Sequence, residues 1–183
     1  MTRIISGTAR GRSLKVPPAG TRPTSDRVRE SIFNALSHRL GNWHELTVLD
    51  LYAGSGALAL EALSRGAAKA VAVEKSPGAS AIIRQNSQSL GLPLTVVTAS
   101  VEGFLSKPAQ SAFDVVFLDP PYELESTALT DVLSQLVEQG HIAPDSVVVV
   151  ERSARSEPIE PPKPLVQADL RAHGETSVLT LVW

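Results

Sequence analysis

Residues 47–59 read Thr-Val-Leu-Asp-Leu-Tyr-Ala-Gly-Ser-Gly-Ala-Leu-Ala, in which two apolar runs flank a G-x-G turn. The first run has the aliphatic composition of a buried strand, and the second opens a helix that we predict over residues 55–66. Glycines at a strand-to-helix turn leave the main chain open to close approach. In open α/β sheets, ligands bind at such turns, beyond the carboxyl ends of the strands.

The same alternation continues along most of the chain. Nearly continuous apolar runs predict strands at 47–52, 70–74, 94–97, 113–119 and 146–151. Amphipathic stretches between them predict helices at 55–66, 77–90, 100–106 and 125–139. This pattern indicates a parallel sheet with helices on both faces. The C-terminal residues predict two more strands around the turn His-Gly-Glu-Thr, which add an antiparallel pair to one edge and bring the sheet to seven strands.

The composition sets limits on the class of protein. The chain has 183 residues, of which 43% are hydrophobic and 20% charged, and this suits one compact α/β domain with a small extension. It has no cysteine, and its four histidines lack the spacing of metal ligands, so we expect no metal site. No apolar run is long enough for a membrane span, and the N-terminus has no apolar leader. We therefore expect a cytoplasmic protein.

The N-terminal region has a different pattern. Residues 3–16 predict two short strands joined by a glycine turn, and three prolines and a glycine then form a linker over 17–23. A helix is predicted from about residue 26 to Gly41. We accordingly divide the chain into a basic hairpin, residues 1–20, and a main domain, residues 21–183.

The charge is unevenly distributed. Residues 1–40 contain eight Lys or Arg and two acidic residues, a net charge of +6, whereas the remainder has a net charge of −8. A basic segment on an acidic body indicates a polyanionic partner. Four basic side chains of the hairpin are the candidate phosphate contacts: Arg3, Arg10, Arg12 and Lys15. For Arg27, Arg29 and Glu30, ion pairing along a helix face is as good an interpretation as a functional role.

An acidic residue downstream of the turn indicates a nucleoside ligand. Glu74 follows Gly54 by twenty residues and ends the next predicted strand, where a carboxylate can accept hydrogen bonds from both ribose hydroxyls. This feature fits NAD and S-adenosylmethionine alike, and Gly56 belongs to the turn in both cases. Asp50 favours S-adenosylmethionine, because a carboxylate can bind its ammonium group. Tyr52 lies in the same turn, and Ser100 and Val101 are the candidates for the adenine.

The run Asp119-Pro120-Pro121-Tyr122 ends the fourth predicted strand of the main domain. An exocyclic amine of a nucleobase is a poor nucleophile, because its lone pair is delocalised into the ring. The Asp119 carboxylate and the Pro120 carbonyl, held rigid by Pro121, can accept both N–H bonds of such an amine and favour a tetrahedral nitrogen. Tyr122 offers a ring on which an extruded base can stack.

These motifs resemble those of a known family. The D-x-Y-x-G-x-G turn and the Asp-Pro-Pro-Tyr run resemble class I S-adenosylmethionine-dependent amino-methyltransferases, which have a Rossmann-like fold. The N-terminal sequence RIISGTARGRSLKVPPAGTRPTSDRVRESIFNAL resembles that of the RsmD family of bacterial 16S rRNA guanine-N2 methyltransferases. The likeness spans nearly the whole chain. It implies the cofactor residues Asp50, Tyr52, Gly54, Gly56 and Glu74.

The resemblance also implies a substrate and further contacts. The substrate would be the N2 amine of one specific guanine of 16S rRNA, presented in the small (30S) ribosomal subunit or its assembly intermediate. Arg22 and Thr24, which precede the first predicted helix, are expected to fold over the cofactor. We expect the protein to be a monomer.

Three alternatives are open. A DNA adenine-N6 methyltransferase can use Asp-Pro-Pro-Tyr, although the chain has little room for a DNA-recognition domain. A small NAD-dependent reductase fits the glycine turn but lacks a recognisable hydride-transfer motif. A catalytically silent RNA-binding module would tolerate loss of Asp119.

Overall fold

The computed structural model describes residues 2–18, 25–121 and 123–183, so that the predicted site residues Arg22, Thr24 and Tyr122 lie outside the described part. The strands are β1 (Thr2–Arg3), β2 (Ser13–Leu14), β3 (Thr47–Leu51), β4 (Lys69–Glu74), β5 (Leu94–Thr98), β6 (Val115–Leu118), β7 (Val147–Ser153), β8 (Val166–His173) and β9 (Thr176–Val182). The helices are α1 (Asp26–Leu40), α2 (Ala57–Ser64), α3 (Pro77–Leu90), α4 (Val101–Leu105) and α5 (Ser126–Glu138).

Seven strands form one sheet in the order β5-β4-β3-β6-β7-β9-β8. Strands β5, β4, β3, β6 and β7 are mutually parallel, and β9 is antiparallel to both β7 and β8. The predicted α/β fold, with its mostly parallel sheet and an antiparallel strand near the C-terminus, is confirmed. The chain reverses its direction of winding between β3 and β6, which are neighbours, and ligands of open α/β sheets bind beside such a switch point.

The strands are apolar on both faces because each face is covered by helices. On one face, Val48, Val115 and Phe117 pack with residues of α1 and α2. On the other face, Leu49 and Leu118 pack with residues of α4 and α5. Side chains alternate between the faces along a strand, so Asp50 shares the α1–α2 face with Val48. This alternation decides which helices can contact each functional side chain.

Several boundaries differ from the prediction by one or two residues, and two differences affect the site and the hairpin. Strand β6 ends at Leu118, one residue before the predicted end, which places Asp119 in the loop. The N-terminal hairpin pairs only two residues on each strand, because Lys15 leaves it to pair with Asn86 of α3. The Lys15 N–H donates to Asn86 Oδ1 at 2.9 Å, and Asn86 Nδ2 donates to the Lys15 carbonyl at 2.9 Å.

The hairpin is docked on α2. The Glu61 carboxylate, fully buried in α2, accepts the N–H groups of Ile5 at 2.7 Å and Ser6 at 3.0 Å. At Gly7, a Cβ atom would lie 1.7 Å from the Ser64 carbonyl oxygen, so only glycine allows this approach. The hairpin is therefore part of the packed domain, and the predicted division at residue 20 falls outside the described residues.

Among the described residues, none of the helices is both long and apolar enough to span a lipid bilayer.

Candidate active site

A cleft of about 590 Å³ opens beyond the carboxyl ends of β3, β4 and β6. This volume suits a nucleoside-sized ligand. The cleft brings together most of the predicted cofactor and catalytic residues that the structure describes: Asp50, Tyr52, Gly54, Glu74, Ser100, Val101, Asp119, Pro120 and Pro121. Other residues that line it were not predicted as site residues: Val16, Arg29, Ala53, Ser55, Ala57, Leu58, Val73, Lys75, Glu102, Glu123 and Leu124.

Asp50 is a buried carboxyl group at the base of the cleft. It is 1% exposed, and its Oδ2 accepts the N–H of Ala59 at 3.1 Å, which caps the first turn of α2. The pKa of Asp50 is raised to about 8, mainly by burial and to a smaller extent by the nearby carboxylates of Asp119 and Glu74, while the Ala59 N–H acts to lower it. The group is therefore largely protonated at neutral pH until a cation enters the cleft.

The two glycines of the turn have different environments. Gly54 has a φ of +56°, lines the cleft, and has open space where a Cβ would lie, with the nearest atom 3.9 Å away. Gly56 has a φ of +76°, and its Cβ would lie 2.8 Å from Cγ2 of Ile83 in α3. Gly56 does not line the cleft, so the close packing of Ile83 explains why the residue is a glycine. Its predicted contact with the cofactor stays a prediction.

Glu74 holds the turn in place. Its Oε2 accepts the Gly54 N–H at 2.9 Å, and its Oε1 accepts the Ser76 N–H at 2.8 Å. Each carboxylate oxygen has a further lone pair, so both can also accept a hydroxyl group. The predicted ribose contact stays a prediction, and it is compatible with these bonds.

Tyr52, in the turn between β3 and α2, and Ser100, in the loop between β5 and α4, both border the cleft. Tyr52 has the left-handed φ of +62°, and its buried hydroxyl has no hydrogen-bond partner among the described residues. Burial raises the pKa of Tyr52 to about 12, with a smaller contribution from Glu102. Ser100 caps α4 by accepting the Gly103 N–H at 3.0 Å, and Val101 is buried beside it. The unsatisfied Tyr52 hydroxyl is a polar group that a ligand can satisfy.

Asp119, Pro120 and Pro121 follow β6 at the mouth of the cleft. Asp119 is partly buried, and its charge is close enough to contribute to the raised pKa of Asp50. The Pro121 carbonyl accepts the Leu124 N–H at 2.9 Å and closes a turn that fixes the path of the two prolines. A carboxylate and a rigid peptide segment therefore face the cleft from the strand next to β3.

The basic residues of the hairpin lie at the surface, and three of the four have partners within the chain. Arg3 is 3.4 Å from Asp26, Arg12 Nη2 donates to the Ser89 carbonyl, and Lys15 Nζ donates to Gln85 Oε1. Arg10 is exposed. Their predicted contact with RNA phosphates is untested, and these side chains present positive charge to solvent.

Arg29 is the residue that the sequence reasoning left undecided and the structure brings into the cleft. A signal was available, since Arg29 precedes Ile32 and Phe33 by three and four residues and so lies on the apolar face of α1. Charged residues are rarely buried unless they have a partner, so a charged residue on a buried helix face indicates a specific role.

The charged side chains that line the cleft fit S-adenosylmethionine better than a dinucleotide. Asp50, Glu74, Asp119, Glu102 and Glu123 line the cleft, against two cationic residues. This excess of carboxyl groups favours a ligand with ammonium and sulfonium charges and disfavours a pyrophosphate. Among the described residues there is no cluster of acidic and histidine side chains suited to a metal ion.

Comparison with known proteins agrees with this interpretation of the cleft. The family model described as "Conserved hypothetical protein 95" matches residues 2–182. The chain is 37% identical to "Ribosomal RNA small subunit methyltransferase D" of Escherichia coli, over 94% of this chain and 83% of that protein. It is 35% identical to "Putative rRNA methyltransferase YlbH" of Bacillus subtilis, over 96% of each chain.

A solved structure has the same fold over nearly the whole length. The structure described as "Putative methyltransferase yhhF from Escherichia coli" is 32% identical and superposes with a TM-score of 0.87, covering 98% of this chain and 96% of that one. The chain thus belongs to the Conserved hypothetical protein 95 family, the family of the small-subunit ribosomal RNA methyltransferases D.

Proposed function

We propose that this protein transfers a methyl group from S-adenosylmethionine to the exocyclic N2 amine of one specific guanine of 16S rRNA in the 30S subunit or its assembly intermediate. Membership of the family makes it a methyltransferase that depends on S-adenosylmethionine and acts on ribosomal RNA. The guanine N2 amine and the assembled subunit are the finer parts of the proposal.

One observation carries the choice of an amine as the acceptor. Asp119 and Pro120 leave β6 at the rim of the cleft that contains the buried Asp50, on the neighbouring strand β3. A carboxylate and a peptide carbonyl side by side can accept two N–H bonds from one nitrogen. An amine held in this way loses conjugation with its ring, and its lone pair becomes available.

The cofactor supplies an activated methyl group on a positively charged sulfur. The chain supplies the rest: Asp50 holds an ammonium group, Glu74 the ribose hydroxyls, and Ser100 and Val101 the adenine. Asp119 accepts an N–H of the target amine at its carboxylate, which stabilises the positive charge that develops on the nitrogen. Tyr122, which lies outside the described residues, is proposed to stack on the extruded base.

The substrate class is supported by the surface charge of the hairpin. Arg3, Arg10, Arg12 and Lys15 lie on one small docked unit and would contact phosphates, which position RNA without reading its sequence. The choice of guanine would then come from base extrusion and from the shape of the ribosomal subunit.

Two further parts of the proposal concern the working state. The described cofactor and target residues line a cleft built by one chain, so we propose that a monomer is active. Ribosome assembly takes place in the bacterial cytoplasm, and we place the protein there.

The test is incubation with labelled S-adenosylmethionine and four separate acceptors. These are small subunits from a strain lacking the enzyme, naked 16S rRNA, duplex DNA, and small subunits that already carry the modification. We expect label in N2-methylguanine from the unmodified subunits and little from the other three. Label in N6-methyladenine of the DNA would contradict the proposal, as would label at a position other than N2.

A further inference from the structure

Arg29 is a buried cation with unused hydrogen-bond donors. Its side chain is 0% exposed. Nη2 donates to the Arg3 carbonyl and to Asp26 Oδ1, the latter at 2.8 Å. Nε and Nη1 are buried and have no hydrogen-bond partner among the described residues. Leaving donors of a charged group unsatisfied is costly, so this arrangement is unfavourable unless another group completes it.

The position of Arg29 connects it with the cofactor cleft. Arg29 lines the cleft from α1, and Ala57 and Leu58 line it from the first turn of α2. Asp50 accepts the Ala59 N–H in that same turn. Arg29 and Asp50 therefore line the same cleft, Arg29 from α1 and Asp50 from β3, on the sheet face that α1 and α2 cover.

The ligand of Arg29 is expected to be small and anionic. A side chain with no solvent exposure is poorly placed to reach a phosphate of an RNA backbone that lies on the protein surface. The N-terminus of α2 also favours a negative charge at this place. An α-amino acid group has one anionic and one cationic end a few bonds apart, which matches a guanidinium and a carboxyl group in one cleft.

We propose that Arg29 binds the carboxylate of the amino-acid end of S-adenosylmethionine, while Asp50 binds the ammonium of the same group. This inference rests on the proposed function only in its use of S-adenosylmethionine, which family membership supports, and not on the identity of the methyl acceptor. It assigns Arg29 as a binding residue that satisfies its free donors only when the cofactor is present. The Nη2 contacts with Arg3 and Asp26 then hold the guanidinium in place for that ligand.

The test compares two ligands that differ only in the carboxylate. Calorimetry gives the dissociation constants of S-adenosylmethionine and of decarboxylated S-adenosylmethionine, which keeps the ammonium and the sulfonium. We expect the wild-type protein to prefer the intact cofactor by about 10- to 100-fold, the range of a charge-assisted hydrogen bond. In Arg29→Gln the preference should fall to near one, through loss of affinity for the intact cofactor alone.

The matched control is Arg152→Gln, which removes another partly buried guanidinium, one that does not line the cleft. It should lower the melting temperature and keep the preference between the two ligands. If Arg29→Gln does not fold, as judged by circular dichroism, Arg29→Lys is used, and a reduced preference is expected because Lys lacks the planar fork.

Two outcomes would overturn the inference. One is a wild-type protein that binds both ligands equally. The other is an Arg29 variant that loses the same factor for both, which is the signature of a purely structural cation. Failure of the proposed function gives a different result: methyl transfer to an acceptor other than the guanine N2 amine, with the ligand preference of the wild-type protein unchanged.

Discussion

The carboxyl ends of β3 and β6 are neighbours in the sheet, but the chain leaves them in opposite ways. After β3 it passes through three residues with positive φ, two of them glycines, into α2, and a buried Asp50 caps that helix. After β6 it passes through a partly buried Asp119 and two prolines. The first end is bent tightly beside the cleft, and the second is stiffened next to a partly buried carboxylate. The residues proposed for cofactor binding and those proposed for chemistry thus follow two separate strand ends.

The largest expected effect tests the β6 end. Asp119→Ala should lower turnover on small ribosomal subunits by about 10²- to 10⁴-fold, the range for loss of a positioned acid, base or charge-stabilising group. The dissociation constant of S-adenosylhomocysteine should change by less than about threefold, well below the tenfold change that corresponds to about 1.4 kcal/mol. Radiolabel transfer and calorimetry measure the two quantities.

The matched control for Asp119 is Glu123→Gln, which removes another carboxylate that lines the same cleft. Its turnover should stay close to that of the wild type. Equal losses in both variants would mean that only the total negative charge matters, and the division between the two strand ends would fail.

The next largest effect tests the β3 end by measuring whether a proton is released when the cofactor binds. Because the pKa of Asp50 is raised to about 8, binding of a cation below that pH should ionise the carboxyl group and release a proton. Calorimetry at pH 7 in two buffers of different ionisation enthalpy should therefore give different heats. Asp50→Asn keeps an oxygen for the Ala59 N–H, and should lose this difference and about 10- to 100-fold of the affinity.

The raised pKa of Asp50 also leads to a prediction for the pH dependence of stability in the cofactor-free protein. The folded-state pKa of Asp50 lies above its usual 3.8, so its contribution to stability is complete below about pH 4 and is lost as the pH rises to about 8. Asp50→Asn should flatten this part of the stability curve, measured by urea unfolding. Identical pH profiles of the two proteins would contradict the raised pKa.

The smallest effect separates the two glycines of the β3 turn. Gly56→Ala should lower the free energy of unfolding by about 1–3 kcal/mol, because its φ is positive and the new methyl group meets Ile83. Gly54→Ala has space for its methyl group and should cost about 1 kcal/mol from the backbone alone, with a larger effect on cofactor affinity. Chemical denaturation and calorimetry distinguish the two. The reverse order would place Gly56 at the cofactor.

Much of the fold could be predicted because local signals agree with the tertiary structure. Helix α3 begins and ends where predicted, since Ser76 caps it, Pro77 opens it and Gly91 ends it in the left-handed conformation. The glycine turn and the Asp119 loop were located for a similar reason, because polar residues interrupt apolar strands there. These residues are recognisable without knowledge of their neighbours.

The features that could not be predicted depend on contacts between distant segments. The basic hairpin was predicted, but its docking was not: the N–H groups of Ile5 and Ser6 donate hydrogen bonds to the buried Glu61 carboxylate. A charged residue inside the apolar run ALALEALS was a signal that a partner lies there. The position of Arg29 on the apolar face of α1 was a local signal for burial, but its partner, the Arg3 carbonyl, lies 26 residues away and no local pattern indicates it.

The strand order near the C-terminus also affects how the nascent chain can fold. Strand β9 follows β8 in the sequence but lies between β7 and β8 in the sheet. During translation, β8 therefore emerges with no partner in the sheet, and the edge of β7 remains unpaired until β9 has left the ribosome. An unpaired strand edge is prone to association with other chains. Premature termination within β9 would thus leave a sheet of five strands with an open edge, and would detach β8 as well.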